Sequence, residues 1–294
     1  MTARPPTAYR ELETAMTTPA PADEIRAFSY GGGQQSVACL VLAAQGRIDF
    51  PLFLFANVGD DSEQPETLRY TEEHAKPYAA SHGIELVELA RVGRAGPRRG
   101  ETRTLLADLE RPDSKSIPIP VRMAGAGPGT RQCTDRFKIK VIADELARRG
   151  ATEASPATVG IGISLDEIHR ANNRTRIPHE RVVYPLLELG LRRTDCQRII
   201  REAGLPVPPK SACWFCPMKR PTEWQAQREE QPELFDRACA LEDLLVERRV
   251  RLGKDPAYLT GLGRPLRQAI PAGVDMLPLA DDGDGSCDTG WCMT

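Results

Sequence analysis

The sequence lacks any apolar stretch approaching the ~20 uninterrupted residues that a bilayer-spanning helix needs. Its longest apolar runs, Val37 to Ala44 and Phe50 to Ala56, are short, which excludes a helical membrane protein and predicts a soluble one with no membrane partner. Met1 to Asp23 carry acids, prolines and threonines but no continuous apolar segment, so they do not read as a secretory signal and cytoplasmic residence is the expectation. Net charge is also nearly absent: 39 basic against 41 acidic residues leave −2 at pH 7, which argues against a protein that coats nucleic acid through global charge and leaves only local basic patches. There is no internal repeat. What the chain does have is 294 residues, 40% of them hydrophobic, enough for one domain of about 200 residues with extensions or for two small domains. It also has eight cysteines. A reducing cytosol disfavours disulfides, so metal ligation, redox chemistry and simple burial are the available explanations, and composition does not choose among them.

Hydrophobic patterning divides the chain. Residues 1–24 read as a flexible leader and 25–165 as an α/β domain: strands at Ile25 to Ser29, Pro51 to Asn57, Ile84 to Leu89 and Thr158 to Ser164 alternate with helices at Gln34 to Ala44, about Pro65 to His82, and Asp135 to Arg149. That alternation implies a Rossmann-like parallel sheet with right-handed crossovers. Regularity fails over 91–130, where Arg91, Arg94, Arg98, Arg99, Arg103 and Arg111 are interleaved with glycine and proline, and a long basic loop is expected. Residues 166–250 read as a helical, cysteine-bearing C-terminal part, with Thr194 and Gln197 as a capping box opening a helix that stops at Gly204. Residues 251–294 read as a flexible tail holding Cys287 and Cys292.

Ser29-Tyr30-Gly31-Gly32-Gly33-Gln34-Gln35-Ser36 follows a strand and opens a helix. Three glycines let the backbone turn and approach a ligand, and the helix-start N–H groups with the Ser29 and Ser36 hydroxyls can donate to phosphate oxygens. It is neither a Walker A loop nor a G-x-G-x-x-G fingerprint. Asn57, Asp60 and Asp61 fall at the end of the next strand, where open parallel sheets bind ligands and where a magnesium contact is possible. A further strand end, Gly160 to Ser164 with Asp166, Glu167 and Arg170, suits a nucleotide's ribose or phosphates and equally an ordinary surface Glu167–Arg170 ion pair. Cys213-Trp214-Phe215-Cys216-Pro217 places two thiols in one tight turn able to chelate a metal. Cys133 just before a helix and Cys196 in the first turn of another are placed where a helix dipole favours thiolate, and four sulfurs from three segments suit an iron–sulfur cluster or zinc. Cys39 and Cys239 read as buried packing. Arginines 91 to 111 read as a solvated loop or as contacts to a polyphosphate or nucleic-acid backbone, with Arg131, Arg136, Lys138 and Lys140 extending the basic region.

Three ordered segments carry a resemblance. The glycine loop resembles the PP-loop of the adenine nucleotide alpha-hydrolase superfamily, usually S-G-G-x-D-S, in the expanded form of the phosphoadenosine phosphosulfate (PAPS) reductase family. Phe55 to Asp61 with Pro65-Glu66-Thr67 is similar to that family's strand-end segment, and Cys133 to Lys140 to its cysteine segment with a downstream lysine. Gln35 stands where the loop pattern has aspartate. The resemblance implies an adenine-nucleotide-binding α/β fold in which Ser29, Gly31, Gly32, Gly33, Gln34, Gln35, Ser36, Asn57, Asp60, Gly162, Arg136 and Arg170 bind nucleotide and Lys138 is catalytic. In adenylylsulfate reductases of the family a Cys-Cys pair and a later C-x-x-C hold a [4Fe-4S] cluster. Here Thr134 fills the pair's second position, so the resemblance implies either Cys196 as the fourth ligand beside Cys133, Cys213 and Cys216, or three cysteines with one open iron. The arrangement also resembles the ATP pyrophosphatases of DNA phosphorothioation.

The expected activity is ATP pyrophosphatase chemistry in sulfur transfer. ATP with magnesium adenylylates an acceptor, possibly a nucleic acid, pyrophosphate leaves, and sulfur from a donor such as a cysteine desulfurase or thioredoxin displaces AMP. A true reductase releasing sulfite is the alternative, with Cys287 as nucleophile, although the tail lacks the reductases' Glu-Cys-Gly-x-His segment. A non-catalytic nucleotide- or metal-binding module is the other.

Overall fold

The computed structural model describes residues 24–112, 114–123, 128–171 and 177–274. The expected leader, save Glu24, and the Cys287/Cys292 pair lie outside the described residues. No helix among them is long and apolar enough to cross a membrane.

Strand β1 (Arg26–Tyr30) leads through the glycine loop into α1 (Gln34–Ala44), then β2 (Leu52–Asn57). A continuous helical stretch follows, α2 (Pro65–Tyr70), a π-helical turn (Thr71–Ala75) and α3 (Lys76–Ser81), before β3 (Glu85–Val92). Each expected element to this point is present. Strands β1, β2, β3, β6 (Ala157–Ile161) and β7 (Glu180–Val183) pair in parallel, and the short β4 (Thr102–Arg103) adds an antiparallel edge. The order is β4-β3-β2-β1-β6-β7. This is a doubly wound α/β sheet, as expected. Successive crossovers run outward from β1 to β3, then return to place β6 on the other side of β1, so strand order reverses between β1 and β6.

The alternation of side chains along the central strands builds two layers. Phe28, Tyr30, Phe53 and Phe55 face α1 and α8 (Arg193–Glu202), while Ala27, Leu52, Leu54 and Ala56 face Val141, Ile142 and Leu146 of α6 (Lys140–Arg148). Helix α1 is buried almost all round because α8 covers the side the sheet does not, and for that reason it reads as apolar rather than amphipathic. A third core joins α9 (Pro221–Glu230) and α10 (Pro232–Arg251) to Val58, Leu105, Leu109 and Phe137.

Several expectations are corrected. The 91–130 segment contains β4, α4 (Leu105–Glu110) and the two-residue β5 (Arg122–Met123), and the short α5 (Gln132–Thr134) follows it. Its arginines are partly structural: Arg91 and Arg103 both grip the buried Asp108, and the Arg91 guanidinium lies 4.7 Å over the Phe137 ring. The C-terminal part opens with a 3₁₀ turn (Leu165–Arg170) but then adds a strand, β7, ahead of the short helix α7 (Pro185–Glu188), where only helix was expected, and the third core crosses the boundary drawn at 165. Helix α8 is capped by Asp195, whose carboxylate accepts from the Arg192 N–H at 2.9 Å, and Gln197 instead donates to Gln34 Oε1 at 2.9 Å. Residues 251–274, expected to be part of a flexible tail, are structured: β8 (Ala257–Tyr258) and α11 (Leu266–Ala269) accompany buried Leu259, Leu266 and Ile270, held by the buried Glu242 carboxylate, which accepts from Leu259 N and Leu266 N.

Candidate functional site

The carboxyl ends of β1, β2 and β6 meet at one sheet edge, and most of the expected nucleotide residues lie there. Gly32 has φ +75, and a Cβ on it would stand 2.6 Å from Thr67 Cγ2, so the backbone at this point packs against α2 with no room for a side chain. Gly31 meets nothing within 4 Å of such a Cβ, and Gly33 is the N-cap of α1 with no side-chain cap. The first-turn N–H groups of α1 therefore open onto the edge without a protein acceptor from a cap. Ser36 Oγ donates to Gly33 O at 2.9 Å, and Ser211 Oγ donates to Gly31 O. Gly162 packs against Gln35, where a Cβ would lie 3.3 Å from Gln35 Cβ. Ser29 is buried within β1, and Gln34 bridges to α8 through Gln197.

Gln35 is turned inward. Its Nε2 donates to Ser164 Oγ at 3.0 Å and to Glu167 Oε2 at 2.9 Å. Glu167 also meets Arg193 at 2.8 Å and Arg170 at 3.4 Å. Glu167 and Arg170 are 3% and 2% exposed, so the surface ion pair weighed from the sequence is in fact a buried one. Burial pushes the Glu167 carboxyl up, against the lowering effect of Gln35 and the two arginines. This cluster braces the loop from behind, and Arg170 belongs to the brace.

At the end of β2, Asn57 Nδ2 donates to Asp60 Oδ1 and to Glu88 Oε1, both at 2.7 Å, and Asn57 Oδ1 accepts from Gly59 N at 2.8 Å. Asp61 accepts from Ser62 Oγ at 2.7 Å and from Thr104 Oγ1 at 2.8 Å. Asp60 and Asp61 are exposed at the edge. Arg136 lies near Arg91 at the end of β3: burial lowers the Arg91 pKa first, then Arg103 and, more weakly, Arg136, against the raising effect of Asp108.

The C-x-x-C turn docks on the segment after β2. Glu63 and Cys213 form an antiparallel bridge, Gln64 N donates to Ala212 O at 3.0 Å, and Trp214 donates through N to Ser62 O at 3.2 Å and through Nε1 to Asp61 O at 2.6 Å. Cys133, Cys213 and Cys216 thereby line one cavity of about 30 Å³ with Arg131 and Lys138. Lys138 is buried 3.9 Å from Glu63 Oε1; burial pulls its pKa down, but Glu63 and the three thiols outweigh it and the ammonium is held charged. Burial pushes the Cys133 thiol up to about 11, and Cys213 and Cys216 upward as well. The expected dipole-lowered thiolates are thus not what the protein alone provides, because desolvation exceeds any helix-end effect.

Cys196 is not brought to this cavity. It is fully buried between α8 and α1, near Cys39, and burial pushes its thiol up to about 12. The four-sulfur set is therefore corrected to three. Three thiols form a soft donor set suited to zinc or iron, and the cavity has room for one or two waters or a single ion. Among the described residues, however, no group of three cysteine, histidine, aspartate or glutamate side chains stands in chelating arrangement, so the three thiols share a cavity without forming a ready-made site.

Sequence reasoning missed Lys219 and Gln227. Lys219 Nζ donates to Trp214 O at 3.1 Å and to Gln227 Oε1, and lies 5.0 Å over the Trp224 ring. Burial pulls it down to about 8, with Cys216 and Glu223 opposing. No sequence signal marks either residue, since both become buried only when α9 packs on the C-x-x-C turn.

No protein-family model and no curated protein matches the chain. Among solved structures it is similar to a phosphoadenylyl-sulfate (PAPS) reductase from Candida auris in a phosphate complex, at 11% identity over 67% of this chain and 79% of that one, with a TM-score of 0.36.

Proposed function

We propose that the chain is an adenine-nucleotide-using enzyme that splits ATP to AMP and pyrophosphate and couples that step to sulfur transfer. One observation carries the reading. The Gly31 to Gly33 loop, with Gly32 locked at φ +75 and no side-chain cap on α1, sits where strand order reverses between β1 and β6, the place where open α/β sheets bind nucleotides. Loop amides and the α1 start would hold the phosphates, Ser29 and Ser36 would add hydroxyl contacts, and Asp60 with Asn57 would hold magnesium offsetting phosphate charge. Gly162 would let the nucleotide approach β6 closely. Arg136 would meet charge developing on the leaving pyrophosphate.

In this reading Cys133, Cys213 and Cys216, which share a cavity without standing in chelating arrangement, would have to close on a soft metal centre, zinc or an iron–sulfur cluster, that would present or activate sulfur. Lys138 would stabilise their thiolates once deprotonated and so favours metal binding electrostatically. The overall step balances as adenylylation of an acceptor oxygen with loss of pyrophosphate, then attack by a sulfur nucleophile with loss of AMP. A nucleic acid is the proposed acceptor class and a cysteine desulfurase the proposed sulfur donor, with a dithiol such as thioredoxin supplying the two electrons that release the persulfide sulfur onto the acceptor.

The test is product analysis. Purified protein is incubated with ATP and, separately, with PAPS plus thioredoxin, and pyrophosphate and sulfite are measured. Pyrophosphate from ATP supports the reading; sulfite from PAPS with no ATP turnover overturns it in favour of a reductase. Iron, zinc and sulfide analysis after anaerobic purification reads the metal.

A further inference from the structure

A groove of about 350 Å³ lies between the 114–130 segment and the C-terminal end of α10. Ile117, Ile119 and Leu252 contribute an apolar wall, and Lys115, Arg248, Arg249 and Lys254 contribute four cations. No acid lines it among the described residues. Lys115 and Lys254 are exposed and Arg249 is half-buried, so these three charges reach water rather than being sealed in the core.

The protein supplies these cations with no carboxylate. Arg249 donates through Nε to a neutral acceptor, Asp255 O, at 2.5 Å. Arg248 is buried and donates through Nη1 to Leu109 O at 2.6 Å and Arg111 O at 2.9 Å, which ties α10 to the end of α4. Burial lowers the Arg248 pKa, Arg111 and Arg251 lower it further, and no acid opposes them. The end of α10 accounts for part of the cluster, because a helix C-terminus favours cations in its last turn, where Arg248, Arg249 and Arg251 stand. It does not account for Lys115 and Lys254, which other segments bring to the same opening. Like charges gathered without an acid repel one another, and a bound anion offsets that repulsion.

The lining also defines the anion. The arginine fork and the two ammonium groups suit phosphate oxygens. The apolar wall suits a ligand whose charge is attached to a carbon body, which inorganic phosphate lacks. The volume falls within the ~300–1,000 Å³ of small-ligand sites.

We propose that this groove binds a nucleoside phosphate unit, with the phosphate on Lys115, Arg249 and Lys254 and the base against Ile117, Ile119 and Leu252. The unit belongs either to a free nucleotide or to a single strand of nucleic acid, which share this chemistry. Ile119 also lines the thiol cavity, and Thr130 of the groove stands three residues before Cys133, so the bound unit lies beside the three thiols. No residue of the glycine loop lines the groove, and the inference stands independently of the ATP reading.

The test uses the full chain. AMP binding is followed by calorimetry, and binding of labelled single-stranded DNA and RNA of about 12 nucleotides, within the ~4–16 that one single-strand site covers, by fluorescence anisotropy. Inorganic phosphate and polyglutamate serve as competitors. The reference variant is Lys115→Ala/Arg249→Ala/Lys254→Ala, with circular dichroism confirming its fold; should it fail to fold, the exposed single variants Lys115→Ala and Lys254→Ala carry the test. The expected result is saturable binding of AMP or an oligonucleotide that weakens about tenfold or more in the triple variant. For a strand, the log–log salt dependence becomes shallower by about 0.7 per contact removed. An oligonucleotide binding at least tenfold tighter than AMP assigns the strand, and comparable affinities assign the free nucleotide. The proposal is overturned if neither millimolar AMP nor micromolar oligonucleotide binds, if the folded variant binds both as wild type does, or if inorganic phosphate or polyglutamate competes as well as the nucleotide.

Discussion

The Gln35 side chain donates to the buried Glu167 carboxylate at 2.9 Å. This pairing explains the departure from the PP-loop pattern, in which an acid stands at that position. A second carboxylate beside Glu167 would add like charge to a group that burial already pushes up, whereas a carboxamide donates and braces. We expect Gln35→Glu to lose about 2–3 kcal/mol of stability, and the swap Gln35→Glu with Glu167→Gln to recover most of it. Urea denaturation of the double-mutant cycle measures this; strict additivity of the two changes would contradict the pairing.

Neighbouring glycines of the loop separate geometry from ligand contact. Gly32→Ala forces a side chain onto φ +75 and into Thr67, and we expect about 1–3 kcal/mol of lost stability together with lost nucleotide binding. Gly31→Ala meets nothing within 4 Å, so its melting temperature should stay near wild type while nucleotide affinity falls. Equal stability of the two variants would count against the loop geometry described.

Thiol chemistry should follow the two environments. Cys39 and Cys196 are fully buried together, so neither should be alkylated in the native protein. Cys196→Ala should leave metal content unchanged and cost about 1–2 kcal/mol as a small cavity. Cys213→Ala or Cys216→Ala should abolish metal content. Loss of metal in Cys196→Ala would restore the four-sulfur set that the fold argues against.

Glu180 makes stability depend on pH. Burial pushes its carboxyl from 4.5 up to about 7, and its Oε1 has no hydrogen-bond partner. The folded state therefore holds this proton more tightly than the unfolded chain. Stability rises as pH falls from about 7 towards 4.5, and above pH 7 the full cost is present. Glu180→Gln should be more stable than wild type by about 1–2 kcal/mol at pH 8, with the advantage vanishing near pH 4.5. An advantage that does not change with pH would show the cause to lie elsewhere.

What the sequence made legible were features encoded by contiguous residues. The buried runs of β1 and β2, the glycine loop and the C-x-x-C turn each carry their own signal. The remainder depends on packing between distant segments. Helix α4 hides among arginines because the partner that makes Arg91 and Arg103 structural is Asp108, whose burial no local pattern announces. Strand β7 holds only four residues, Glu180–Val183, with a charged pair at its start, and so lacks an apolar run. Cys196 carries a helix-start signal that points to thiolate, yet α1 lies across it and burial decides. Lys219, Gln227 and Glu63 acquire their roles only when α9 and the C-x-x-C turn close on the end of β2.

The central claim is that nucleotide phosphates sit on the Gly31 to Gly33 loop. Titrating ATP and magnesium into isotope-labelled protein and following backbone amide resonances tests it most directly. The account predicts saturable shifts centred on Gly31, Gly32, Gly33, Gln34, Gln35 and Ser36, with smaller ones at Asn57 to Asp60 and Gly162. Saturable binding that leaves those amides unmoved, or no binding at all, would contradict it.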